Sequence, residues 1–172
     1  MKKGKTTRTY GTAADIVSAL RSHHGPGGQV VPPWLFIANL RMGVGFASST
    51  NPHADQSIDA WAMALWSSLK LEKVAYEVKV SRHDFFRELE NPDKRQAALS
   101  VSNLFYFAVP ASLVAVNEVP DEAGLVYVDG RGCHFVKRAP RREGPAPSWS
   151  FIASVARRLR NIADESADSE EP

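Results

Sequence analysis

A chain of 172 residues, 44% hydrophobic and 23% charged, is long enough to bury a core of its own and is composed like an ordinary globular domain. Its single cysteine, Cys133, excludes an intrachain disulfide framework and a cysteine-rich zinc site, and suits a reducing compartment. The net charge is only +2, no apolar run is as long as a transmembrane helix, and the basic start is not followed by a signal-peptide apolar region. The expectation is a cytoplasmic protein with no membrane contact, folded as one domain over 1–163 with its core in 30–140.

Residues 1–9 are polar and basic and read as a mobile start. Thr12 is positioned to cap a helix over Ala13–Arg21, with Ile16 and Leu20 facing inward. His23 and His24, followed by Gly25, Pro26, Gly27 and Gly28, break it. That histidine pair reads as a solvated loop in preference to a metal site, because no third ligand is near in sequence. The apolar run Val30–Leu40 predicts a first strand, beginning after Pro33, and a polar loop leads to a returning strand over Ser57–Leu65. On it Asp59 shares a face with Trp61 and Met63, and a carboxylate in such a place must be paired, hydrogen-bonded or bound to a metal.

A short turn over Trp66–Lys73 leads to the next strand, where Val74, Tyr76, Val78 and Val80 alternate with Ala75, Glu77, Lys79 and Ser81. One face is apolar; the other carries Glu77 and Lys79 side by side. A helix over His83–Ser100 follows, capped by Ser81 and split into two by Asn91-Pro92. The apolar run Asn103–Pro110 predicts a buried central strand, which completes a β-α-β crossover of right-handed sense. Gly124–Val128 and Cys133–Arg138 read as a hairpin closed by Asp129-Gly130-Arg131-Gly132. After a proline-rich linker, a last helix begins at Ser148 or Ser150 and runs through Ile162. The five acids between Asp164 and Pro172 predict a disordered tail.

The fold class is therefore α/β, a central mixed sheet flanked by helices. On consecutive strands joined by a short turn, Asp59 and Glu77 can reach one place. Two carboxylates, with the Val78 carbonyl as a third oxygen, make the sparse, hard-oxygen ligand set that Mg²⁺ or Mn²⁺ accepts while keeping water positions. Lys79 beside them could orient or help deprotonate an attacking water and offset developing negative charge. The bland reading of the same residues is a solvent-facing Glu/Lys pair on an edge strand. Trp61, Phe85, Phe105 and Tyr106 read as core before base-stacking residues. His83 at the helix start reads as solvated, and Cys133 as inert packing.

Ile58-Asp59 followed by Glu77-Val78-Lys79 resembles the core of the PD-(D/E)xK nuclease superfamily, although Ile58 stands where the superfamily often has proline. The longer run Tyr76–Phe85, then Asn91–Arg95, Asn103–Ala108 and Val119–Leu125, closing on Arg138-Ala139-Pro140, resembles the MmcB-type DNA repair branch. The resemblance covers about Ser57 to Pro140. It implies a restriction-endonuclease-like core and a metal-dependent endonuclease, acting in DNA repair or in the processing of phage or mobile-element DNA. Asp59, Glu77 and Lys79 would be catalytic, with Asp59, Glu77 and Val78 holding Mg²⁺ or Mn²⁺. Ser81, Arg82, Lys94 and Arg95 would border the DNA, and the first-helix acid would be Asp15; apart from the resemblance, the charge cluster of Lys137, Arg138, Arg141 and Arg142 could line a DNA path as well as a solvated surface. DNA is the implied partner, a homodimer is plausible because one such site cuts one strand, and recognition of shape, ends or damage is expected from so small a chain. The competing readings are a non-catalytic DNA-binding or scaffold protein that keeps the fold, and an RNA- or structure-specific nuclease.

Overall fold

Local signals set the elements, and the computed structural model describes residues 11–25, 32–49 and 52–168, without the side chains of Lys94 and Ser166. The basic start at 1–9 and the glycines at 27 and 28 lie outside the described residues. Helix α1 (Ala13–His23) opens on a capping box, in which the Asp15 amide donates to Thr12 Oγ1 and the Thr12 amide to Asp15 Oδ2. Ile16 and Leu20, one turn apart, are fully buried. Asp15 thus serves the cap of its own helix.

Six strands follow: β1 (Trp34–Arg41), β2 (Ser57–Ala64), β3 (Lys73–Val78), β4 (Leu104–Pro110), β5 (Gly124–Asp129) and β6 (Gly132–Lys137). They form one mixed sheet in the order β1-β2-β3-β4-β5-β6. The β3/β4 and β4/β5 pairs are parallel and the other three antiparallel. The crossover from β3 to β4 passes through α2 (Arg82–Leu89) and α3 (Pro92–Ser100), separated where Asn91-Pro92 predicts a break. The crossover from β4 to β5 contains only a 3-10 turn at Val116–Glu118.

Both faces of the sheet are covered. Ile16 and Leu20 of α1 pack on Val74, Tyr76, Val78, Tyr106 and Val126. On the other face Phe85 of α2, Ala97 of α3 and Phe151 of α4 (Trp149–Asp168) join Trp61, Ala75, Phe105, Phe107 and Leu125. Phe85 meets Phe107 edge-to-face at 5.0 Å, and Phe151 meets Trp61 at 5.6 Å. The aromatic residues expected in the core are there, and β3 is buried on both sides. Its polar face is therefore roofed by α2, and the edge-strand reading of Glu77 and Lys79 is corrected.

Two further expectations change. His24 caps α1 from inside the protein: it is buried, packs on Trp34 at 4.7 Å and shares a 2.8 Å hydrogen bond with the Tyr76 hydroxyl. The glycines after it suggested solvent, but Trp34, Phe36 and Tyr76 supply an aromatic slot that the local sequence does not reveal. Helix α4 runs to Asp168, so the first five residues of the expected tail are helical. Its basic and acidic turns support one another, as in the Arg158–Glu165 ion pair. Among the described residues no helix is long and apolar enough to cross a membrane.

Candidate active site at the carboxyl end of β3

The site begins where two strands part. β2 and β3 are paired from Ala60/Tyr76 to Met63/Lys73. Beyond that pairing the Val78 amide has no strand acceptor on the β2 side, and Asp59 Oδ2 takes its hydrogen bond at 2.8 Å. This carboxylate-to-backbone bond holds Asp59 against the last residue of β3. One residue on, the Lys79 amide donates to the Ala108 carbonyl of β4, so its Cα is held by the sheet although β3 proper has ended.

The Lys79 ammonium lies between two acids. Nζ is 2.5 Å from Glu77 Oε1 and 3.1 Å from Glu88 Oε2, and the three side chains are 13%, 11% and 6% exposed. Burial pushes the Glu77 carboxyl up to about 7, the nearby Asp59 carboxylate adds to that shift, and Lys79 opposes it. Burial would pull the Lys79 ammonium down, but the charge and hydrogen bonds of Glu77, then Glu88, outweigh it and hold Lys79 above its ordinary value. Lys79 is therefore a cation here, suited to binding or stabilising negative charge and not to taking a proton.

Asp59, Val78 and Lys79 open onto a groove of about 680 Å³, whose opposite wall is the Ala13–Arg21 face of α1. Asp84 and Arg87 of α2 and Asn39 of β1 also line it. It sits outside the carboxyl ends of the parallel strands, where open α/β sheets hold ligands. Glu77 stands behind Lys79 and is not on the groove wall. Glu88 was missed by sequence reasoning, although a glutamate on the inner side of α2 between Phe85 and Leu89 was a readable signal.

Most cations expected to meet DNA are engaged elsewhere. Ser81 caps α2, accepting from the Asp84 amide at 3.1 Å and donating to Asp84 Oδ2 at 2.8 Å. Arg82 grips Glu118 with both terminal nitrogens at 2.6 and 3.1 Å. Arg95 is buried and donates to the Glu88 carbonyl and to Glu122, so it holds α2, α3 and the following loop together. Lys137 donates to the Val119 and Pro120 carbonyls, Arg141 pairs with Glu72 and Glu143, and Arg142 donates to the Glu122 carbonyl. Lys137 stands opposite Leu125 at the start of β5, so the Lys137–Arg142 cluster, with exposed Arg138, is at the far end of the sheet from the groove. The Lys94 side chain lies outside the described residues. Cys133 is half-buried on β6, and burial pushes its thiol up to about 11, which keeps it unreactive.

No protein-family model and no curated protein matches this chain. A solved structure from Silicibacter pomeroyi, the SPO1766 protein of unknown function, is similar to it with a TM-score of 0.54 and 20% identity, covering 88% of each chain. That likeness speaks for the fold alone: a mixed α/β architecture with a six-stranded sheet flanked by helices.

Proposed function

We propose that this chain is a divalent-metal-dependent nuclease that hydrolyses DNA phosphodiester bonds. The observation that carries this reading is the meeting of Asp59, the end of β3 and a cationic Lys79 on one open groove, with Glu77 directly behind. The resemblance of Asp59 and Glu77-Val78-Lys79 to the PD-(D/E)xK pattern supports it.

The residues fit a hard cation. Among the described residues no group of three or more His, Cys, Asp or Glu side chains converges to hold a metal. The set on offer is two carboxylates and a main-chain carbonyl, and a buried Glu77 made harder to ionise by Asp59 marks local negative charge that a cation would offset. Asp59 and the Val78 carbonyl on the groove wall, with Glu77 turned from Lys79 toward them, would hold Mg²⁺ or Mn²⁺, and the bound ion would supply Lewis-acid polarisation and a more acidic water. The protein's own part is positional and electrostatic. Asp59 is locked by the Val78 amide, and Lys79 presents a fixed positive charge where the phosphate oxygens gain negative charge as water adds to phosphorus and the leaving oxygen departs.

One observation favours a second reading, a DNA-binding scaffold that does not cut: the Glu77–Lys79–Glu88 cluster is also a buried ion network of a structural kind. Cleavage of labelled duplex, single-strand, flap, junction and RNA substrates with Mg²⁺ or Mn²⁺ separates the two. Asp59→Asn keeps an oxygen for the Val78 amide, and Glu77→Gln keeps the shape of the buried side chain. Each should lose cleavage by roughly 100-fold or more while keeping the wild-type far-UV circular dichroism spectrum at 25 °C. Wild-type protein that binds but leaves every substrate intact under both metals would sink the nuclease reading.

A further inference from the structure

The groove over Asp59 and Lys79 continues past Asn39 into a second, smaller pocket of about 170 Å³ between β1 and α4. We propose that these two hollows form one track for the phosphate backbone of a nucleic-acid strand, running from Arg21 and Arg87 at the reactive groups to Arg41 and Arg157 on the far side. The track deepens the nuclease reading and rests on it for the identity of the polymer.

Four features carry it. Asn39 is common to both hollows, is exposed, and has a φ of 52° in the middle of a strand edge, an uncommon conformation for a residue other than glycine. It places an amide donor at the junction, at the same end of the sheet as the reactive groups. The cations come from four separate elements: Arg21 on α1, Arg87 on α2, Arg41 on β1 and Arg157 on α4. Convergence of that kind requires tertiary structure and does not follow from one charged helix face.

Their partners leave the charge available. Among the described residues neither Arg21 nor Arg157 has a carboxylate partner, and Arg21 lies 5.0 Å over the Phe36 ring. Among the described residues the Arg41 guanidinium donates to the carbonyls of Gly45 and Ala54, which hold it without neutralising it. Arg87 is tied to Asp84, and Arg158, also in the second pocket, to Glu165. Among the described residues that line the second pocket there is no acid. The first is lined by Asp59, at the reactive groups, and by Asp84, whose charge Arg87 offsets, so the arginines on either side of Asp59 are what draw phosphates along the track. Finally, α1 presents Ala13, Ala14 and Ser18 to the groove, side chains short enough for a backbone to lie against the helix.

The test is binding of fluorescein-labelled duplex DNA, single-stranded DNA and single-stranded RNA by the full chain, followed by anisotropy across a salt series. EDTA prevents cleavage, and Ca²⁺ is added in a parallel series. Arg21→Ala and Arg157→Ala should each weaken binding about 3- to 10-fold and flatten the slope of log K against log salt by about 0.7 for a single strand or 0.9 for a duplex. Lys70→Gln, exposed at the other end of the sheet, should bind as wild type with an unchanged slope. Tightest binding in the RNA arm with the same arginine dependence supports the track and changes the polymer. Wild-type affinity and slope in both arginine variants, loss only in Arg138→Ala, or no binding by the wild type overturns it. Binding that needs Arg21 and Arg157 without cleavage keeps the track and sinks the nuclease reading; cleavage indifferent to both arginines does the reverse.

Discussion

Replacing Lys79 with methionine leaves Glu77 and Glu88 facing each other with no cation between them. The native ammonium lies 2.5 and 3.1 Å from their oxygens, and none of the three side chains is more than 13% exposed. Removing one partner of a buried ion pair typically costs about 3–5 kcal/mol, because the stranded charge keeps its desolvation penalty. Methionine retains much of the apolar stem of lysine, so the packing loss is small and the lower part of that range applies. The expected destabilisation is about 3 kcal/mol, or roughly 6–12 °C in Tm for a chain of this length. Urea denaturation followed by far-UV circular dichroism measures it. Adding Glu88→Gln to Lys79→Met removes the repulsion between the two buried acids and should restore about 1–2 kcal/mol. A loss below about 0.5 kcal/mol for Lys79→Met, or no recovery in the double variant, would refute the buried three-group cluster.

Burial holds the His24 imidazole down at about 4, with the charge of His23 acting in the same direction, so the folded chain binds fewer protons there than the unfolded one. Its contribution is fully present above the unfolded value near 6.5 and is lost as pH falls toward 4, up to roughly 3 kcal/mol, and denaturant titrations of His24→Leu should lack that part of the slope. Identical pH slopes for the two proteins would overturn the assignment. Gly124→Ala would place a Cβ 2.3 Å from the Tyr106 ring and 2.6 Å from the Ala139 amide nitrogen, and a loss of about 2–4 kcal/mol is expected by thermal denaturation. Arg95→Met should lower stability by roughly 2–4 kcal/mol, through loss of its bonds to the Glu88 carbonyl and Glu122, while leaving the salt slope of DNA binding as it is. A flattened slope with unchanged stability would instead return Arg95 to the interface.

Several elements were legible because their signals lie within a few contiguous residues. Thr12 with Asp15 marks the start of α1, Asn91-Pro92 divides α2 from α3, and the alternation around Tyr76 marks β3. The parallel pairing of β3 with β4 was readable too, since a strand, a helical stretch and an apolar strand in succession leave few other connections. Asp59 and Glu77-Val78-Lys79 stood out as a group because acids on apolar strands require partners. That Asp59 meets Val78 across the parting of β2 and β3 is a fact of pairing register, which no window of sequence contains.

What only the tertiary structure decided was the partner of each charge. Arg95 and Glu122 are 27 residues apart, Arg141 and Glu72 are 69, and each pairing depends on how loops meet after the sheet has formed. The Lys137–Arg142 cluster looked like a DNA path because charge is visible in sequence and its neutralisation is not. Arg21 and Arg157 sit on helices far apart in the chain, and only the packing of α1 and α4 on opposite faces of one sheet brings them to the same end of it. Periodicity and caps are properties of neighbours along the chain, so the sequence determined them by itself. Burial and charge pairing are properties of neighbours in space, and the fold had to exist before Lys79 could lie between Glu77 and Glu88.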